Sequence, residues 1–330
     1  MRPAVSCVRP SLTRRLRNTE HSRNKCARNR LNWYYRVSHT INMARLVLLY
    51  LPAAIAVAAA ASPDPWPMFL QSSNHHANSA NAAPAPVSIG SGELSAAWTY
   101  NMSVQISSSP CLIDDVVVAA SGCGDGPCAS GGIVALFRDT GKVKWSTPLG
   151  TGVAYSSPMP SKDGKLVYIG TDAGKVVAIS VATGAVVYSY TAGGNVTATP
   201  CISAQDGAVY IGSYDGNMYK LDAELNFVWK SATMGQVWSS ATISDDGSMV
   251  FFGSVDHGIY AVKTDTGDKA WVQNTTGRIK SPAVYDNGQV LIGNYEDKCL
   301  RCLDAATGKE AWRYTAGDFV FSSPAVAGSK

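Results

Sequence analysis

Four of the eight cysteines have spacings that could support chemistry. Cys123 and Cys128 bracket a glycine-rich insertion, and a disulfide between them would suit an oxidising compartment. Cys299 and Cys302 form a C-x-x-C pair, a spacing found in redox and metal sites. They fall on a predicted strand, however, where residues three apart face opposite sides. We therefore expect a disulfide at the first pair, with a metal loop as the alternative, and buried small side chains at the second.

Three aromatic side chains could hold a planar ligand by stacking. Tyr155, Trp238 and Phe321 each come directly before a Ser-Ser dipeptide, at positions that recur along the chain. The equivalent positions elsewhere hold Ser107, Thr197 and Ile279. We expect the three aromatic residues to lie at the mouth of a central channel. Ligand stacking is one role for them there, and hydrophobic packing around the channel is the other.

The remaining candidates for acid–base or metal chemistry have structural explanations. Asp172, Asp215 and Asp256 lie in short glycine-containing turns, where Asp is favoured because it hydrogen-bonds the backbone nearby. His75 and His76 lie in a polar segment without a neighbouring carboxylate or cysteine. The sequence therefore assigns no catalytic residue and predicts no metal site.

Three Asn-x-Ser/Thr sequons begin at Asn101, Asn195 and Asn274. Such sequons accept N-linked glycans on surface loops of secreted proteins. Each of the three follows an aromatic residue that closes a repeat, so all three are predicted to lie on one rim of the molecule. They favour passage through a eukaryotic secretory pathway.

The elements that must position these residues come from one repeated unit. Residues 107–312 contain five copies, an upstream partial copy precedes them, and each of the six ends on an aromatic side chain. These residues, separated by 47, 43, 41, 42 and 41 positions, are Trp98, Trp145, Tyr188, Trp229, Trp271 and Trp312. A fixed period of this length is typical of solenoids, propellers and arrays.

Each copy has the pattern of a four-stranded antiparallel meander. In the fifth copy, strands are predicted at residues 279–286, 289–295, 298–305 and 309–314. The first hairpin turns at Asn287-Gly288, a dipeptide that hairpins favour because Gly tolerates positive φ. Other copies have Asp-Gly at this place, beginning at Asp163, Asp206 and Asp246. Short strands joined by such turns predict an all-β fold.

The copies must stack on one another, because a four-stranded sheet with two apolar faces is not stable alone. Radial stacking into a β-propeller leaves only short, protected edges. We expect each closing aromatic residue to pack between adjacent sheets and to bury about 150–250 Å². In the third copy Leu225-Asn226 replaces the usual Thr-Gly, and we expect Asn226 to adopt the left-handed conformation there.

The closing segments resemble the Ala-x-Asp-x-x-Thr-Gly-x-x-x-Trp pattern of the pyrroloquinoline-quinone (PQQ) repeat family of β-propellers. The family's opening Ser-Ser-Pro is matched at residues 108–110, 156–158 and 322–324. The segment WPMF at residues 66–69 is similar to the lead-in of many members. The Asp of the closing pattern is kept only at Asp222 and Asp304. The resemblance covers residues 66–330 and implies a propeller of four-stranded blades.

The resemblance leaves two functional classes open. The family includes quinoprotein alcohol dehydrogenases, which bind PQQ and a calcium ion, and outer-membrane assembly lipoproteins, which bind neither. The enzymes place a disulfide between adjacent cysteines on one face of the quinone, and this sequence has no Cys-Cys pair. They place a tryptophan on the other face, for which Trp238 is the candidate here. Fold alone does not decide between the classes.

The repeats predict an incomplete ring. Five complete units are preceded by one closing strand, at residues 93–100, and followed by one opening strand, at residues 319–327. We expect a truncated propeller over residues 93–330. The alternative is a six-bladed ring whose sixth blade has two strands.

The amino-terminal segment differs from the rest in charge and hydropathy. Residues 1–45 contain eleven Lys or Arg and one acid, so the net charge of +4 comes from this leader. The repeats are mildly acidic, which argues against a nucleic-acid partner. The apolar run at 46–61 predicts a secretory signal peptide over residues 43–61, too short to span a bilayer readily. Residues 1–42 are then a disordered or wrongly joined leader, and residues 62–92 an extended lead-in.

From the sequence we expect an exported, non-catalytic propeller that binds a protein, a glycan or a small ligand, with no cofactor. The alternative function is a PQQ- and calcium-dependent dehydrogenase acting on alcohols or sugars. The alternative locations are a signal-anchored form and an organelle addressed by the Arg-rich leader.

Overall fold

The computed structural model describes residues 45–49, 96–102, 104–122, 131–153 and 155–326, with 45–49 described for the backbone only. Every regular element in these ranges is a β-strand, so the predicted all-β class is confirmed. No helix within these ranges has the length and apolarity that crossing a bilayer requires. The predicted leader, the lead-in at 62–92, most of the signal peptide and the Cys123–Cys128 disulfide lie outside the described residues.

Five four-stranded antiparallel sheets follow one another along the chain, and each is called a blade. Blade 1 consists of β3 (Cys111–Ile113), β4 (Val116–Ser121), β5 (Gly132–Phe137) and β6 (Val143–Pro148). Blade 2 consists of β7 (Met159–Pro160), β8 (Leu166–Gly170), β9 (Lys175–Ser180) and β10 (Val186–Thr191). Blade 3 consists of β11 (Cys201–Ile202), β12 (Val209–Gly212), β13 (Asn217–Leu221) and β14 (Phe227–Ala232).

Blade 4 consists of β15 (Thr242–Ile243), β16 (Met249–Gly253), β17 (Gly258–Lys263) and β18 (Lys269–Asn274). Blade 5 consists of β19 (Ala283–Asp286), β20 (Gln289–Asn294), β21 (Cys299–Asp304) and β22 (Glu310–Thr315). Within each blade the strands pair in chain order, so every blade is an antiparallel meander. The predicted repeat architecture is therefore confirmed for five complete blades.

A two-stranded sheet precedes blade 1 and repeats the outer half of a blade. It pairs β1 (Arg45–Leu49) with β2 (Ala96–Asn101). Leu48 lies opposite Trp98, and the register shifts immediately after Leu48. Blade 4 has the same arrangement, with Ala261 opposite Trp271 and a register shift immediately after Ala261. The upstream partial copy thus has the backbone pairing of the last two strands of a blade.

Tryptophan side chains connect successive blades. In four of the repeats, the indole N–H of the closing tryptophan donates a hydrogen bond to a backbone carbonyl in the closing turn of the following blade. The pairs are Trp98 to Arg138 (2.6 Å), Trp145 to Val181 (2.8 Å), Trp229 to Thr264 (3.0 Å) and Trp271 to Ala305 (2.9 Å). Each ring also lies against the turn glycine, at Gly141, Gly184, Gly267 and Gly308 respectively. Only a residue without a side chain allows this approach, which explains the Thr-Gly of the motif.

Blade 2 makes the same connection with a different residue. Its closing aromatic is Tyr188, which has no indole N–H. The hydroxyl of Tyr168, on β8, instead donates to the carbonyl of Ala223 at 2.7 Å. Ala223 occupies the turn position that accepts the indole bond in the other blades. Burial raises the pKa of Tyr168 to about 12, so its hydroxyl stays protonated and able to donate.

The shortened turn of blade 3 differs from the expectation. Leu225, not Asn226, has the left-handed conformation, with φ of +63°. The turn is one residue shorter than its equivalents, which places the left-handed position on Leu225. The carboxylate of Asp222 stabilises it by accepting the backbone N–H groups of Glu224 and Asn226. The buried Leu225 side chain packs into the core between blades 2 and 3.

Candidate ligand site at the channel mouth

The residues that precede the innermost strands surround one cavity of about 310 Å³. Tyr155, Trp238 and Phe321 all line it, so the three predicted aromatic residues lie around the same space. The other lining residues are Ser107, Ser109, Ser157, Thr197, Thr199, Ser240, Lys280, Pro282, Ser322 and Ser323.

The position predicted for Ile279 is wrong. Ile279 is fully buried in the core of blade 5, and Lys280 lines the cavity instead. Ser239 and Ser281 are equivalent, because each donates its hydroxyl to a carbonyl on the next innermost segment, at Ser281 and Ser322 respectively. Blade 5 has Ser-Pro where the others have Ser-Ser or a similar pair, which hid this one-residue offset in the sequence.

A belt of hydroxyl groups joins the innermost segments. The backbone N–H of Ser109 donates to Ser157 Oγ at 2.9 Å, and that of Ser157 donates to Thr199 Oγ1 at 3.0 Å. The N–H of Thr199 donates in turn to Ser240 Oγ at 2.9 Å. Ser157, Thr199 and Ser240 are each at most 5% exposed. This belt gives the second serine of the opening motif a physical role, that of connecting one blade to the next.

Trp238 is held by three neighbours. Its ring stacks on Tyr214, with centroids 4.8 Å apart and planes 9° from parallel. Its indole N–H donates to Gln236 Oε1 at 2.8 Å. The ammonium group of Lys280 lies 4.1 Å from the ring centroid, a cation–π contact. The indole is therefore fixed in orientation, and much of its surface is already in contact with protein.

Lys280 also connects Trp238 to a second aromatic group. Its Nζ lies 4.9 Å from the ring centroid of Tyr295. Tyr295 stacks on Phe319 at 4.5 Å and meets Phe321 edge-on at 6.1 Å. Phe319 and Phe321 are each about half exposed, so this cluster presents aromatic surface to solvent beside the cavity.

Asp215 and Asp256, two candidate bases, stabilise turns by accepting hydrogen bonds. Burial alone would raise the pKa of Asp215, but hydrogen bonds from Tyr219, Asn217 and Gly193 outweigh it and hold that pKa below its ordinary value. Asp256 has the same arrangement, in which Tyr260 and the N–H groups of Met234 and Gly258 lower its pKa. Asp172 lies in the corresponding turn of blade 2, where its backbone N–H donates to Gly152.

The described cysteines are buried thiols. Cys111, Cys201, Cys299 and Cys302 are buried and form no disulfide, as predicted for the C-x-x-C pair. Burial raises the pKa of Cys111 to about 12 and also raises those of Cys299 and Cys302. These groups stay protonated at neutral pH and are poor nucleophiles. Within the described ranges, no group of three or more His, Cys, Asp or Glu side chains could hold a metal ion.

The predicted glycosylation sites are exposed. Asn101 ends β2, Asn274 ends β18, and Asn195 lies in the loop that follows β10. These loops lead from the outermost strand of one blade to the innermost segment of the next, as the repeat predicts. Glycosylation itself stays a prediction.

Comparison with known proteins places the chain in a family. Residues 129–277 and 255–330, together more than half of the chain, match the family described as outer membrane protein assembly factor BamB. The chain belongs to this family of PQQ-repeat propellers. The resemblance drawn from the repeat motifs is therefore confirmed.

Individual relatives of the family are distant. Outer membrane protein assembly factor BamB of Burkholderia pseudomallei (strain K96243) is 26% identical over 123 residues. That match covers 37% of this chain and 31% of the relative, so it spans about a third of the relative's length.

Two solved structures show the shared fold. BamB from Moraxella catarrhalis has a TM-score of 0.55 and 22% identity, over 67% of each chain. The quinohemoprotein alcohol dehydrogenase from Comamonas testosteroni has a TM-score of 0.58 and 13% identity, over 69% of this chain and 56% of its own. At these identities the likeness concerns the fold alone.

Proposed function

We propose that this chain is an exported, non-catalytic scaffold that binds a protein partner at the channel mouth. The observation that carries this proposal is the exposed aromatic surface around the cavity, formed by Tyr155, Phe319 and Phe321. Met234, in the loop leading to Trp238, adds a side chain that is 93% exposed. Aromatic residues and methionine are enriched where proteins bind proteins, so this surface suits a protein partner.

Family membership supports the same function. The matching family and the Burkholderia relative are described as outer membrane protein assembly factors, and assembly requires contact with other proteins. Their outer-membrane description, together with the apolar run at residues 46–61, supports export of this chain. Glycans at Asn101, Asn195 and Asn274 would accompany that route.

The residues at the mouth do not fit the PQQ- and calcium-dependent alternative. Calcium takes oxygen ligands, carboxylates prominent among them, and no carboxylate belongs to the described residues that line the cavity. Trp238, the residue that would stack on the quinone, already stacks on Tyr214 and contacts Lys280. We therefore derive no catalytic step.

Photo-crosslinking tests the proposed function. The photoreactive amino acid p-benzoylphenylalanine would replace Tyr155 or Phe321 in the purified chain, which is then exposed to the secretory fraction of its source cells. The matched control is Phe137, which is as exposed as Tyr155 at 37% but ends β5 on the opposite rim. We expect one discrete adduct from the first two positions.

The competition step decides the outcome. Excess unlabelled chain should abolish that adduct, whereas a chain carrying Tyr155→Ser and Phe321→Ser should not. No discrete adduct, or an equal adduct from position 137, would contradict the proposed function.

A further inference from the structure

The chemistry of the cavity wall indicates what its occupant carries. We infer that the cavity binds a carboxylate that a peptide segment of the partner presents, flanked by apolar side chains. This inference rests on the proposed function and goes beyond it by naming the group recognised. It follows from the hydrogen-bond donors of the wall, its single charge, and the apolar rim.

The hydroxyl belt leaves donors facing a ligand. Ser157, Thr199 and Ser240 each use their oxygen to accept a backbone N–H from the preceding blade. A hydroxyl that accepts one bond still has its own hydrogen to donate. Among the described residues, none accepts that hydrogen from any of the three. Because all three are at least 95% buried and line the cavity, an acceptor inside the cavity is the partner that would satisfy them.

The charge of the wall selects an anionic acceptor. Lys280 is the one charged side chain among the described lining residues. The contacts with Trp238 and Tyr295 hold the ammonium group at the mouth. A carboxylate entering the cavity therefore meets an ammonium group and hydroxyl donors, and charge-assisted hydrogen bonds of this kind are strong.

The size and the rim of the cavity favour a peptide as the source. A volume of about 310 Å³ is at the small end of ligand pockets, and suits one or two side chains. Apolar residues beside the carboxylate would pack on the exposed rings of Phe319 and Phe321. A free small acid would leave this aromatic surface uncovered.

Calorimetric titration with matched peptides tests the inference. The probes are acetyl-Gly-Phe-Glu-Phe-Gly-amide and its neutral counterpart, in which Gln replaces Glu. We expect the Glu peptide to bind at least about tenfold more tightly, which corresponds to about 1.4 kcal/mol. The variant Lys280→Met should remove this preference. Lys230→Met, which removes an exposed cation from the outer strand β14, should leave it unchanged.

A second pair of variants isolates the hydroxyl donors. Thr199→Val removes the hydroxyl but keeps the shape, whereas Thr199→Ser keeps the hydroxyl. The Val variant should weaken the Glu peptide about threefold to tenfold relative to the Ser variant. Thermal unfolding of both variants before titration verifies that the binding comparison is made between folded proteins.

Any of four results would overturn the inference: equal affinity for the two peptides, no binding of either peptide, full preference in the Lys280→Met variant, or succinate binding as tightly as the Glu peptide. The last result would assign the cavity to free organic acids. The crosslinking experiment distinguishes this failure from failure of the proposed function. An adduct at positions 155 and 321 without carboxylate preference would retain the scaffold and discard the carboxylate.

Discussion

At the scale of single residues, one contact recurs: a side-chain N–H or O–H donates a hydrogen bond to a backbone carbonyl in the closing turn of the next blade. Four indoles make it, and in blade 2 the hydroxyl of Tyr168 replaces the indole that Tyr188 cannot supply. The replacement comes from a different strand, so the hydrogen bond is kept although its donor has a different position in the repeat. This indicates that the carbonyl of the closing turn needs a donor.

The exchange of donor in blade 2 gives a direct prediction. Tyr168→Phe should lower the free energy of unfolding by about 0.5–1.5 kcal/mol, because the hydrogen bond from its hydroxyl to the carbonyl of Ala223 is lost. Tyr188→Phe is the matched control, since the structure gives the Tyr188 hydroxyl no hydrogen bond. Urea denaturation of both variants measures the difference. Equal stability of the two variants would contradict the assignment.

Two turn aspartates, Asp215 and Asp256, make the stability of the fold depend on pH. Asp215 and Asp256 have pKa values below those of an unfolded chain, so they stabilise the fold above about pH 4. That contribution is lost as the pH falls through their folded values. Tyr219→Phe removes a hydrogen bond that lowers the pKa of Asp215, and it should make stability less steep below pH 4. Denaturation curves between pH 2 and 6 measure this, and identical slopes for the two proteins would contradict it.

At the scale of elements, the repeat was readable because hairpin chemistry is local. Asp-Gly and Asn-Gly turns mark the first hairpin of blades 2 to 5, and their glycines, Gly164, Gly207, Gly247 and Gly288, adopt positive φ. The left-handed conformation falls on Leu225 and not on Asn226, because its position depends on the length of the turn and not on the residue best suited to it. Hydrogen bonds between blades carry no sequence spacing, so neither the role of Tyr168 nor the hydroxyl belt could be predicted.

The candidate site was partly predictable for the same reason. Recurrence in the repeat predicted that Tyr155, Trp238 and Phe321 lie around one mouth, and they line one cavity. The sequence pattern of blade 5 aligns Ile279 with these residues, one position too early, because Pro282 obscures the serine pair. The donors of the belt and the position of Lys280 depend on contacts between distant segments, which appear only in the folded molecule.

The contact between indole and turn can be isolated with two glycines. Gly267 and Gly288 both have φ near +79°, so an Ala at either meets the same backbone strain. An added Cβ at Gly267 would approach Trp229 to 2.8 Å, whereas at Gly288 it meets nothing within 4 Å. Gly267→Ala should therefore be the more destabilising by about 1–3 kcal/mol. Equal losses in urea denaturation would show that the ring does not depend on the glycine.

At the scale of the whole molecule, the blades converge on a mouth that is suited to binding. Buried clusters join each blade to the next, so the innermost segments are held in a fixed arrangement around the cavity. The same arrangement presents aromatic rings, one ammonium group and a belt of hydroxyls. No carboxylate belongs to the described residues that line the cavity, and Asp215 and Asp256 stabilise turns instead.

The proposed function requires the mouth to be a binding surface and not a quinone site. Incubating the purified chain with PQQ and Ca²⁺, followed by gel filtration and a dye-linked dehydrogenase assay with alcohols and sugars, tests this most directly. We predict that the quinone elutes apart from the protein and that no dye is reduced. Quinone absorbance that travels with the protein, accompanied by substrate-dependent dye reduction, would contradict the account.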